Sequence, residues 1–199
     1  MKHSPSNQNN NVSFNPFEGP SIQKIIHTTP SQSEIWLACK FGGEDANKAY
    51  NESITIILNG ELNQLALEIA IVNLLKRHEA LRSAFSADGA FMTIYEDVLL
   101  APVYRDISKN TASEKKEILS KYLFNEAHYN FDLLKGPLIK FGLIKLNETL
   151  HHLIISAHHI ICDGWSMGTM LYEISTFYNS NINKSTPNIP APETFSSYA

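Results

Sequence analysis

The segment that most constrains the fold of this chain is "PLIKFGLIKLNETLHHLIISAHHI" (residues 137–160), two long apolar-rich runs parted by Asn147-Glu148. Two such runs around a short polar break read as an antiparallel strand pair. The other elements fall around it. "IQKII" suits a short strand, and "HTTPSQSEIWLACKF" starts a helix, with Ser31 or Ser33 as its cap and Glu34 three residues after Ser31, as in a capping box. "SITIILNG" is a β-branched run closed by Asn-Gly. In "ELNQLALEIAIVNLLKRHEAL", Leu67, Ile71, Leu74, Leu75 and His78 recur at helical spacing. Leu65, Ile69 and Val72 fill a second face, so this helix is expected to be buried on more than one side.

"LRSAFSADGAFMTIY" reads as a strand, an Asp-Gly turn and a second strand. "SEKKEILSKYLFNEAHY" is an amphipathic helix, and "GWSMGTMLYEISTFYNS" is the last one before the Pro-rich exit "NKSTPNIPAPETFSSYA". Residues 1–21 are rich in Asn, Ser and Pro and read as a flexible polar arm. Strands and helices in mixed order, without strict alternation, indicate an α/β chain of the α+β kind.

Several function classes drop out on composition. A chain of 199 residues with 43% hydrophobic content can bury a real core. Its net charge of −4 and scattered Lys and Arg argue against a nucleic-acid partner. Cys39 and Cys162 lie far apart, without C-x-x-C spacing, which indicates neither a disulfide framework nor a zinc ribbon and suits the reducing cytoplasm. No apolar run approaches the roughly 18 residues of a spanning helix, so no membrane role is expected.

"SAHHIICDGWSMG" (residues 156–168) allows two chemistries. Gly164-Trp165-Ser166-Met167-Gly168 has the G-x-S-x-G form of a serine hydrolase's nucleophile elbow. Alternatively His159 acts as a base, with Asp163 as its structural partner. The hydrolase needs a histidine after the serine, and none follows Ser166. A metal reading of His151, His152, His158 and His159 fails on geometry. Strand neighbours point to opposite faces, and His151 and His159 would lie about 26 Å apart at roughly 3.3 Å per residue. Bland readings stand beside these: a satisfied core histidine for one of His158 and His159, and a plain helix cap for Asp163.

Three segments together resemble the condensation domains of non-ribosomal peptide synthetases. "SQSEIWLA" (residues 31–38) looks like the family's first helix motif, "RHEALRSAF" (residues 77–85) like R-H-E-x-L-R-x-x-F, and "HHIICDGWS" (residues 158–166) like H-H-x-x-x-D-G. The resemblance implies a chloramphenicol-acetyltransferase-like sandwich with a mixed sheet, of which residues 22–199 would be the N-terminal lobe, with the second lobe and an adenylation domain expected downstream. It implies amide formation between an acyl or peptidyl thioester and the α-amine of an aminoacyl thioester, both on phosphopantetheine arms of carrier-protein partners, with no cofactor of the chain's own. His159 would be the catalytic group. His158, Asp163, Gly164, Arg77 and Arg82 would support it, with Asp163 paired to Arg77 or Arg82 and Gly164 easing the turn into the helix. Amides at the start of that helix would help to stabilise the oxyanion. An α-amine of pKa near 7.7 to 8.0 is about 10 to 20% neutral at pH 7, so a single histidine suffices. Epimerisation domains resemble "DGVSW" after the histidines, where this chain has Asp163-Gly164-Trp165-Ser166-Met167. Heterocyclisation domains have aspartates in place of the histidines. Epimerisation, another acyl transfer with the same motif, and a non-catalytic lobe that docks carrier proteins remain as alternatives.

Overall fold

The computed structural model describes residues 19–199. The polar-arm reading falls mostly on residues 1–18, outside the described residues. Ser21 is already in place, its carbonyl accepting from the Glu96 N–H at 2.8 Å.

The strand pair forms as its sequence demands. β6 (Ile139–Asn147) and β7 (Leu150–His158) run antiparallel, with Leu143 opposite Leu153 and Ile139 opposite Ala157. β2 (Asn51–Asn59) lines the far side of β7, with Asn51 opposite His158. β5 (Val103–Asp106) pairs in parallel with β6, which completes a four-stranded mixed sheet in the order β2-β7-β6-β5. A second, three-stranded sheet joins β1 (Ile22–His27), β4 (Phe91–Tyr95) and β3 (Ser83–Phe85) in the order β1-β4-β3.

Alternation along β7 divides the core. Leu153, Ile155 and Ala157 face a large cluster shared with α2 (Gln64–Arg77) and α4 (Gly164–Asn183). Ile154 faces the opposite way, where Ile118, Leu119 and Leu123 of α3 (Ala112–Ala127) cover it together with Ile107 and Ile144. Each fully buried Leu or Ile in these layers contributes about 1.5 to 3 kcal/mol. α2 is buried on one face only, through Leu67, Ala70, Ile71, Leu74 and Leu75. The expected second buried face is open: Leu65, Ile69 and Val72 are exposed.

α1 (Pro30–Ala49) begins earlier than its cap candidates suggested. Thr29 is the N-cap, Gln32 completes the capping box with it, and Pro30 occupies the first helical position. The helix is broken at Gly43, whose φ of 66° and ψ of −153° are close to glycine-only backbone. Among the described residues no helix is long and apolar enough to cross a membrane.

Candidate functional site

The end of β7 sends adjacent histidines to opposite sides, as a strand must. His158, the last strand residue, is fully buried. Its Nδ1 accepts from the Ile160 N–H at 3.2 Å, so the proton sits on Nε2, which faces Cys39 Sγ at 3.8 Å. Burial pushes its pKa down to about 4, and the ring is neutral at pH 7. Cys162 is buried beside it, its Sγ donating to His158 O at 3.6 Å, and burial drives this thiol up to about 12. Neither the thiol nor the His158 imidazole is equipped for proton transfer near neutral pH.

His159 is exposed. Its N–H donates to Tyr50 O at 2.8 Å, just after α1, and its side chain lines a cleft of ≈ 730 Å³. Gln32, His78, Asp163, Trp165 and Phe195 are among the other residues lining this cleft. Trp165 stands at 89% exposure, a large aromatic surface without cover.

The structure corrects the expected role of Asp163. Its side chain is exposed and caps α4, accepting from the Ser166 N–H at 2.8 Å and the Ser166 hydroxyl at 2.7 Å. The Ser166 hydroxyl and amide hold its carboxyl below the usual carboxylate range. It meets neither arginine. Losing a cap of this kind costs about 0.5 to 2 kcal/mol, against 3 to 5 for breaking a buried ion pair. Gly164 follows it as the first helical residue, but its φ is not positive and an added Cβ would come no closer than 3.8 Å to Glu52 Oε1. The turn into α4 therefore does not require a glycine there.

The arginines are used elsewhere. Arg77 Nε donates to Glu173 Oε1 at 2.9 Å, and its guanidinium also reaches Pro190 O. The same Glu173 meets His78 Nε2 at 2.6 Å through Oε2. Arg82 is buried and fastens backbone carbonyls, those of Leu75 at 2.8 Å, Glu96 at 2.9 Å and Tyr95. Between them, Glu79 accepts from Lys24 Nζ at 2.8 Å and from the Ser196 N–H at 2.8 Å. Burial raises the Glu79 pKa, but those two partners outweigh it and leave the carboxyl low. The segment Arg77–Arg82 thus ties chain crossings together, and the Pro-rich exit is part of the site. Glu193, Thr194, Phe195 and Tyr198, the last two in α5 (Phe195–Tyr198), line the cleft.

Ser166 lacks the setting of a hydrolase nucleophile. It lies in the first turn of α4 with its hydroxyl donated to Asp163, and its φ is not in the strained positive region. The sequence reading missed Gln32, Glu79, Glu173 and the exit segment. Two signals were available: Thr29-x-x-Gln32 around Pro30, and an acid at Glu173 on the same helical face as Met170, Ile174 and Phe177.

Comparison with known proteins agrees with this architecture. Residues 22–199 match the Condensation domain family. The chain is 34% identical over 172 residues to malpinin synthetase of Mortierella alpina, covering 85% of this chain and 2% of that protein. It is 30% identical over 197 residues to bacitracin synthase 1 of Bacillus licheniformis, covering 97% and 4%. The crystal structure of the starter condensation domain of rhizomide synthetase RzmA superposes with a TM-score of 0.78 at 17% identity, over 88% of this chain and 44% of that one. The chain therefore spans a few per cent of the length of these synthetases and less than half of the solved domain. With a family match over nearly all its described length and the same fold at the superposed half, the chain belongs to the condensation-domain family.

Proposed function

We propose that the chain is the N-terminal lobe of a condensation domain, and that it serves amide formation between two carrier-bound thioesters at the cleft beside His159. The observation that bears this reading is the division of labour at the end of β7. His158 is neutral and enclosed, while His159 is exposed in a large cleft with its backbone pinned. In the proposed step the acceptor amine nitrogen attacks the donor thioester carbonyl, and the carbon–sulfur bond breaks as the tetrahedral intermediate collapses. His159 orients the amine, takes its proton, and returns a proton to the departing thiolate, so the imidazole ends unchanged. The N–H groups of Gly164 and Trp165 lie in the unbonded first turn of α4, where the helix N-terminus favours negative charge.

The substrates would arrive on phosphopantetheine arms of donor and acceptor carrier proteins, with a second lobe and an adenylation domain as further partners. Two buried free thiols fit a reducing setting, the cytoplasm. The support for Asp163, Arg77 and Arg82 as site residues is structural: Asp163 caps α4, and the two arginines fasten the segment that carries His78 and Glu79 to the cleft, while Gly164 would contribute only its backbone N–H.

The test joins the chain to the second half of a condensation domain and follows amide formation between loaded carriers. His159→Ala is expected to abolish product while leaving the melting temperature unchanged. Near-normal turnover by the folded variant removes His159 from the chemistry and leaves a carrier-docking lobe. Ser166→Ala is expected to retain substantial activity, and a fluorophosphonate probe to leave the wild type unlabelled. Stoichiometric labelling lost with that substitution restores the hydrolase.

A further inference from the structure

Gln32 is 5% exposed in the first turn of α1, and its carboxamide is used at both ends. Oε1 accepts from the Thr29 N–H at 3.1 Å, while Nε2 donates to Ile160 O at 3.1 Å and lies 3.6 Å from Met92 Sδ. The Thr29 contact decides which end is oxygen, so the donor faces Ile160. Helix capping uses only the oxygen. The bond to Ile160, across 128 positions of sequence, is not needed for the cap.

That bond completes a set around His159. The His159 N–H is held by Tyr50 O, the Ile160 N–H by His158 Nδ1, and the Ile160 carbonyl by Gln32. The imidazole of His159 makes no hydrogen bond among the described residues, so its Cα–Cβ direction, fixed by these anchors, decides how the ring enters the cleft. Two of the anchors come from opposite ends of one helix. In a straight α1, Gln32 and Tyr50 would lie about 27 Å apart. They bind adjacent residues because the helix breaks at Gly43.

We propose that Gln32 is a positioning residue for His159, acting through the Ile160 carbonyl. The proposal rests on the reading of His159 as the group that handles the amine proton. If His159 is misdirected by as little as 1 Å, the rate can fall on the order of 100-fold while binding is spared.

Two substitutions separate positioning from capping. Gln32→Glu keeps the oxygen that caps Thr29 but presents a second oxygen to the Ile160 carbonyl. Gln32→Met keeps the length and loses both bonds. A residue that only caps predicts Glu close to wild type and Met worse, whereas positioning predicts Glu at least as damaging as Met. The first measurement is amide hydrogen exchange in this chain at neutral pH. Exchange at His159 and Ile160 should accelerate by about five- to tenfold relative to the amides of β6. The second is carrier-to-carrier amide formation, in which kcat should fall at least about tenfold with KM little changed. Uniform loss of protection across the chain, or a Gln32→Glu variant with normal local exchange and kcat, overturns the proposal. The exchange measurement does not depend on catalysis, so an active His159→Ala variant would refute the functional reading while leaving the geometric one separately tested.

Discussion

At the scale of single residues, the pair His158 and His159 shows how one strand end separates two uses of the same side chain. His158 has a native pKa of about 4, against an unfolded value near 6.5. Above pH 6.5 the ring is neutral in both states, and its contribution to stability is fully present. As the pH falls from 6.5 towards 4, the unfolded chain takes up a proton that the native state refuses, so stability declines by up to about 3 kcal/mol. Urea unfolding at pH 7 and pH 4.5 should show this loss, and the difference between wild type and His158→Gln across that window should isolate it. A wild-type stability flat from pH 7 to pH 4.5 would contradict the burial of a neutral ring. The opposition of the two histidines was legible in the sequence, because alternation along a strand is a local rule. For Asp163 the sequence left two readings, a helix cap and an arginine pair, and the structure decides for the cap. A carboxylate at a helix start can be satisfied three residues on, by Ser166, and the free ends of long arginine side chains are settled only by tertiary structure.

At the scale of elements, the long periodic segments were readable, and so were the short strands β1, β3 and β4, whereas β5 and the start of α1 were not. β6, β7, α2 and α4 follow from their apolar patterns. β5 has four residues, all exposed, and its parallel partner lies beyond α3, so nothing in its own composition announces it. The start of α1 was displaced by two plausible Ser caps, although Pro30 marks the true first turn. One contact between elements is unusually exacting. A Cβ on Gly142 of β6 would lie 2.2 Å from Tyr122 Oη of α3, so strand and helix approach there only because the residue is glycine. Burial, aided by the nearby Glu126 charge, raises the Tyr122 phenol to about 12, which keeps it neutral under the sheet. Gly142→Ala is expected to cost about 1 to 3 kcal/mol. Calorimetry should show a melting temperature lower by several degrees, and Tyr122→Phe in that background should recover part of the loss. An unchanged melting temperature for Gly142→Ala would mean that α3 is not seated so closely.

At the scale of the whole molecule, α2, α4 and the exit segment meet at Glu173. This carboxylate is buried on the apolar face of α4, between Arg77 and His78, and Arg77 also reaches Pro190 on the returning chain. Removing the acid leaves the half-buried Arg77 guanidinium without its carboxylate, so Glu173→Leu should lose about 1 to 3 kcal/mol, and adding Arg77→Met should restore part of it. Strictly additive losses in denaturant titrations would show that the two do not act as a pair. The pairing of β2 with β7 has a further consequence, in time rather than energy. Its partners lie about 100 positions apart in the chain. A ribosome adding about 5 to 20 residues per second completes β7 only about 5 to 20 s after β2 has been made. During that interval the apolar side of β2, Ile54, Ile56 and Leu58, has no sheet to join and stays without its strand partner until β7 emerges.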